Sequence, residues 1–289
     1  MNKEVNKIKN FWWLPLGGIL IVGIILGFFF DFSTAAQMYT PSNLFGTAIE
    51  YIGSVPGYTL VGFAGPLLYL AFRYSEKKWE KYLGFAAFFA IPLASGLVLG
   101  YDVFYDKLKY IGLLGGAAVV LGLDALMFTL FRHAKPKDAL KDAFILAISF
   151  AVTFILVFAL KHIIERPRYI YVIDHPDAFR PLFDLSSNIK DADKDLLNSF
   201  PSGHCAFAGT FILFPILCKH SRRLKYHEGG IFIMACLWIA IVMLGRMISG
   251  YHYLSDTSFG ALIGVVISFL TNFLSQFIKP TKKEETTNG

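Results

Sequence analysis

Eight blocks of apolar residues, each about the length that crosses a bilayer, dominate this sequence and leave little room for another architecture. They cover roughly 11–30, 57–73, 83–100, 111–131, 143–160, 204–218, 231–248 and 258–278. The block at 204–218 is the shortest, but charged segments flank it on both sides and its neighbours require a crossing there. A chain of 289 residues that is 55% hydrophobic and 17% charged is not an ordinary soluble protein. The expected fold is all-α, a polytopic transmembrane helical bundle of about eight spans.

The net charge of +6 raises the possibility of a nucleic-acid partner, and its distribution argues against one. Lys and Arg number three in residues 1–10, four in 73–82, four in 132–141, four in 219–228 and three after 278, which is 18 of the 27. The intervening connections hold none at 31–56, two at 101–110, six at 161–203 and one at 246–256. The basic residues thus sit in alternate connections, and the positive-inside rule places that set, with both termini, in the cytoplasm. Basicity here reports topology.

Lys3, Lys7 and Lys9 precede an apolar run with small residues at 33–36, a pattern shared with secretory signals. The run of about 20 residues exceeds the usual signal core, so a retained anchor is expected. Cys205, Cys218 and Cys236 fall in apolar spans without paired spacing and read as small core residues. Asp124 is an acid near mid-membrane, read as a hydrogen-bonded interior carboxylate rather than a proton relay. The segment 161–203 is rich in Asp and reads as a solvated external loop with a short helix near 191–198.

Three segments carry polar residues hard against helix ends: Lys161 to Arg168, then Pro201-Ser202-Gly203-His204, then Gly245 to Asp256. The topology puts all three at one extracytoplasmic surface. Lys161, Arg168 and Arg246 supply three positive charges, enough to bind a phosphate and neutralise charge on a transferring phosphoryl group. Ser202 precedes a helix whose free N–H groups form a natural phosphate seat, and Gly203 allows close backbone approach. His252 and Asp256 are four apart, so on a helix the carboxylate would hold the imidazole Nδ1–H and leave Nε2 as nucleophile or base. His204 could protonate a leaving oxygen. His162 and His175 read as interfacial, and His133, His220 and His227 fall on the cytoplasmic side.

These segments resemble the signature of the type 2 phosphatidic acid phosphatase superfamily, which also includes vanadium haloperoxidases and glucose-6-phosphatase. The pattern is K-x6-R-P, then P-S-G-H, then S-R-x5-H-x3-D. Lys161 with Arg168, Pro201 to His204, and Arg246, His252 and Asp256 fit it in order and spacing. Tyr169 stands where a proline usually follows the arginine, and Gly245 replaces the serine before Arg246. The same spacing selects Arg168 over Arg166 as the phosphate ligand and leaves Arg166 as a structural or supporting charge. Helical geometry points the same way, since positions 161 and 168 share a face, although Pro167 disfavours helix there.

The resemblance implies metal-independent hydrolysis of a phosphate monoester or diphosphate through a phosphohistidine, with no cofactor. His252 would attack phosphorus, oriented by Asp256; His204 would protonate the leaving oxygen; Lys161, Arg168, Arg246, Ser202 and Gly203 would hold the phosphoryl oxygens. A site at the membrane–water boundary favours a lipid phosphate substrate. The family core usually has six spans, which makes residues 1–100 N-terminal helices partly additional to a core at 101–279, followed by a disordered cytoplasmic tail at 280–289. A bacterial plasma membrane is the expected location. The competing classes are a lipid transporter or flippase and a non-catalytic membrane protein, and the sequence assigns no oligomeric state.

Overall fold

A computed structural model describes residues 12–184, 189 and 193–277, apart from the side chains of 104–107. The first basic cluster and the tail at 280–289 lie outside the described residues. Among those described there is helix and no strand, as the apolar blocks require. Seven stretches are long and apolar enough to cross a membrane. The helices are α1 (Trp13–Met38), α2 (Leu44–Ile52), α3 (Val55–Gly62), α4 (Ala64–Phe72), α5 (Lys78–Val103) and α6 (Leu108–Phe131). They continue with α7 (Pro136–Ile164), α8 (Tyr169–Val172), α9 (Gly203–Thr210), α10 (Phe214–Leu217), α11 (Glu228–Ile248) and α12 (Leu254–Leu274).

Two expectations are corrected. The connection at 31–56 is largely helical, because α1 runs on to Met38 and the kinked series α2 to α4 forms one candidate span, Leu44–Phe72. The block at 204–218 is not a continuous helix. It is broken into α9, a 3₁₀ turn at Phe211–Leu213, α10 around Pro215 and a second 3₁₀ turn at Cys218–His220. It is absent from the seven candidate spans for that reason.

With little hydrophobic drive between helices in lipid, close contact depends on small residues. The α5–α6 hairpin turns where Lys109 takes φ 49°, and its arms meet backbone to backbone. A Cβ on Gly100 would lie 2.5 Å from the Gly112 carbonyl oxygen. The helix α9 lies on α12 in the same manner. Side chains on Gly260 or Gly264 would strike the carbonyls of Ser202 and Ala206. Helix α1 presents Gly23, Gly27 and Asp31, four residues apart, to Ser258 and Ser255 of α12. A larger apolar core, with Phe63, Leu67, Phe131, Leu146 and Leu217, fills the space between α4, α6, α7 and the broken segment. The Asp124 side chain is buried beside Gly62, and neither carboxylate oxygen has a hydrogen-bond partner among the described residues. The expectation of a hydrogen-bonded acid is not met.

Candidate active site

Pro136 opens α7 at its first turn, and Glu165 closes it in the left-handed region at φ 45°. Pro167 then keeps the chain extended, so Arg168 is reached outside the helix, not on its face as the spacing argument supposed. Its backbone N–H donates to Leu196 O at 2.8 Å. The segment 193–200 runs antiparallel to this strap and returns the chain to α9, where Ser202 caps the helix, accepting from Cys205 N at 3.5 Å. Gly250, at φ 72° and packed against Ile170 and Tyr39, turns the chain between α11 and α12. No residue with a Cβ fits that position.

These turns gather the three motifs. Ser202 N–H donates to the Asp256 carbonyl at 3.1 Å, His252 N–H to that of Arg246 at 3.3 Å, and Ile170 N–H to that of Gly250 at 3.1 Å. Lys161 donates through Nζ to Asn198 O at 2.8 Å, and its Cε lies 4.0 Å from the position of a Cβ on Gly203. Arg168 and Arg246 approach the ring of Tyr251 at 4.7 and 4.6 Å, two cation–π contacts on one aromatic residue. Arg168 also forms a two-pronged pair with Asp195, at 2.7 and 2.9 Å. Arg246 is buried, yet its Nε and one terminal nitrogen, like Nε of Arg168, have no hydrogen-bond partner among the described residues. Buried guanidinium donors of this kind suit an anion.

His252 is buried, with Nδ1 2.5 Å from the carbonyl oxygen of Ser199. A carbonyl only accepts, so Nδ1 carries the proton and Nε2 keeps a lone pair. Burial and the charges of Arg246, Lys161 and Arg168 hold the His252 pKa well below its ordinary value, against the opposing pull of the Ser199 carbonyl. The same three cations act on His204, whose Nε2 donates to the Glu50 carbonyl at 2.9 Å. Any proton that His204 gives up to a ligand must therefore leave from Nδ1.

Asp256 does not hold the imidazole as the i, i+4 argument supposed. His252 precedes α12, while Asp256 sits in its first turn and reaches back to Tyr253 N–H at 2.9 Å. Its remaining capacity goes to Ser199 Oγ and to Arg166, each at 2.5 Å. Ser199 thus stands between the two, touching His252 through its carbonyl and Asp256 through its hydroxyl.

Residues that the sequence reading did not assign complete the surroundings: Ser199, Tyr251, Asp195 and Asp31. Asp31 had a legible signal, since it is the single charged residue of α1. It was missed because the apolar block ends at 30 while the helix continues. Ser199 had no signal, because its main contribution is a backbone carbonyl. The two departures from the family pattern also have causes. Tyr169 packs edge-on against Phe32 and Tyr39 at the end of α1. At 245, a Cβ would lie 2.5 Å from the Ile49 side chain of α2, which leaves room only for glycine.

Among the described residues no group of three His, Cys, Asp or Glu is placed to hold a metal ion. The positive charges gathered here are those of side chains. The cysteines are free. His220 lies away from these groups, paired with Asp142 at 2.6 Å.

Residues 142–279 match the PAP2 superfamily, in agreement with the resemblance carried by the three motifs. Phosphatidylglycerophosphatase B of Bacillus subtilis (strain 168) is 30% identical over 142 residues, which is 48% of this chain. The alignment spans 60% of that relative's length. No solved structure matches the chain significantly.

Proposed function

We propose, for a chain whose residues 142–279 carry the PAP2 superfamily region, that it is an integral-membrane phosphatase acting on a lipid phosphate through a phosphohistidine. The observation that carries this reading is the tautomer of His252: Nδ1–H is committed to Ser199 O, so Nε2 offers its lone pair beside three cations. Nε2 attacks phosphorus while Lys161, Arg168 and Arg246 take the charge of the phosphoryl oxygens. The N-terminus of α9 adds a backbone donor at Gly203, whereas the Ser202 N–H is taken by the Asp256 carbonyl and Ser202 serves as the helix cap. Each well-placed donor of this kind contributes on the order of 10²–10³ in rate.

With Nε2–H held on the Glu50 carbonyl, His204 takes a second proton, at Nδ1, once the negative charge of the bound phosphate offsets the three cations, and it delivers that proton to the leaving alkoxide as the P–O bond breaks. It then takes a proton from water, which attacks the phosphohistidine, releases inorganic phosphate and restores the Nε2 lone pair. No step calls for a metal ion. The alternation of basic connections supports an extracytoplasmic site with cytoplasmic termini. The Bacillus relative is a phosphatidylglycerophosphatase, which makes phosphatidylglycerophosphate the first substrate to try.

The test is phosphate release by the detergent-solubilised protein across phosphatidylglycerophosphate, phosphatidic acid and a polyprenyl diphosphate, with and without EDTA. His252→Ala is expected to abolish turnover on every substrate, and acid-labile phosphate on the protein is expected to disappear with it. Normal turnover by His252→Ala, or loss of activity in EDTA, would sink the mechanism.

A further inference from the structure

Behind His252 lies a buried ion network that begins on the first helix. Arg166 is 1% exposed, and every nitrogen of its fork is occupied. Nε donates to Arg180 O at 3.0 Å, one terminal nitrogen to Ser255 Oγ at 2.9 Å and Asp256 Oδ1 at 2.5 Å, and the other to Asp31 Oδ2 at 2.8 Å. Its guanidinium also lies 4.3 Å from the centre of the Tyr253 ring. Asp31 in turn accepts from Ser255 N–H at 2.9 Å and from the Ser255 hydroxyl. The chain of contacts therefore runs Asp31, Arg166, Asp256, Ser199, His252. It passes from α1 through the strap after α7 to the first turn of α12 and ends on the imidazole proton.

We propose that Asp31 and Arg166 are positioning residues for His252, fixing its tautomer and ring orientation through Asp256 and Ser199. The inference rests on the reading of His252 as nucleophile. It gives α1, which lies outside the PAP2 match at 142–279, a part in the site. The physical case is one of constraint. Asp256 can aim Ser199 only if its own carboxylate is held, and Arg166 holds it only if the guanidinium plane is fixed. Asp31 fixes that plane from the far side, with a carboxylate oxygen on Arg166 and both oxygens on Ser255. Among the described residues no hydrogen bond or ion pair joins Asp31 or Arg166 to Lys161, Arg168 or Arg246, so substrate binding should not sense them.

Asp31→Asn is the discriminating variant, because it is isosteric and leaves Arg166 paired with Asp256. In the full-length protein acting on phosphatidylglycerophosphate in mixed micelles, it is expected to lower kcat by about 10- to 100-fold, the cost of a small misplacement of a reacting group. KM should stay within about threefold, since binding groups are untouched. The second measurement is a double-mutant cycle with Ser199→Ala, which removes the hydroxyl that Asp256 holds and keeps the carbonyl. If Asp31 acts through that hydroxyl, Asp31→Asn should cost little further in the Ser199→Ala background. A purely structural Asp31 would give additive losses. Should Asp31→Asn fail to fold, Ser255→Ala takes its place, because that hydroxyl touches both Asp31 and Arg166.

Wild-type kcat in Asp31→Asn, or additivity with Ser199→Ala, overturns the proposal while an inactive His252→Ala leaves the phosphatase reading standing. An active His252→Ala overturns both.

Discussion

His252 Nδ1 and the carbonyl oxygen of Ser199 are 2.5 Å apart, so the backbone of one motif-flanking residue sets the tautomer of the imidazole in another motif. The sequence pattern H-x3-D invites the reading that the aspartate does this. Here the Asp256 carboxylate accepts from the Ser199 hydroxyl instead.

The acid limb of the pH–rate profile follows from this setting. Burial and the charges of Arg246, Lys161 and Arg168 favour neutral imidazole and hold the His252 pKa well below 6.5. The Nε2 lone pair is therefore present at neutral pH and is lost only as pH falls through that lowered value. In kcat/KM the limb should lie below pH 6.5. Lys161→Met removes a positive charge, raises the pKa and should move the limb to higher pH. A limb that stays in place in Lys161→Met would contradict the electrostatic account.

Tyr251 should contribute to binding through two cations at once. Arg168 and Arg246 approach its ring at 4.7 and 4.6 Å, and each cation–π contact is worth about 0.5–2 kcal/mol. Tyr251→Phe should keep KM near wild type, whereas Tyr251→Ala should raise it by about tenfold. Initial rates over a range of substrate concentrations separate the two.

On the proposed function, Asp195 competes with the substrate phosphate for Arg168. Its side chain is 67% exposed, so solvent screens the pair and its net worth is at most about 1 kcal/mol. Asp195→Asn should lower KM severalfold at low ionic strength, with the difference from wild type shrinking in 0.5 M salt. A rise in KM would mean that Asp195 aims Arg168 rather than competing for it.

Gly245→Ser restores the residue of the family pattern and should nevertheless harm this protein. A Cβ there meets Ile49 at 2.5 Å, and overpacking of this kind costs about 1–3 kcal/mol. The expected result is a lower thermal midpoint in detergent. An unchanged midpoint would show that α2 can shift freely.

Much of this was legible from the chain alone. Block lengths of the apolar runs locate α1, α5, α6, α7, α11 and α12, because lipid permits few alternatives to a continuous helix, although α1 runs eight residues past its block and α7 begins seven before its own. The broken segment after Ser202 was misread because composition does not reveal the Pro215 break or the 3₁₀ turns. The candidate site was legible where chemistry depends on side-chain type: Lys161, Arg168, Arg246, His204 and His252 do come together. Arg166 was recognised as a supporting charge. Its partners were not, since pairing Asp31 with Asp256 across one guanidinium depends on which helix faces touch.

That pairing has a bearing on how the molecule is made. Arg166 follows Asp31 by 135 residues and precedes Asp256 by 90. During synthesis Asp31 enters the membrane in the first helix long before its counter-ion exists, and Arg166 holds only half its final partners until the last helix arrives. Docking of α12 is the event that completes both the ion network and the seat of His252. The seat of His252 is consequently complete only when α1 and α12 have found each other.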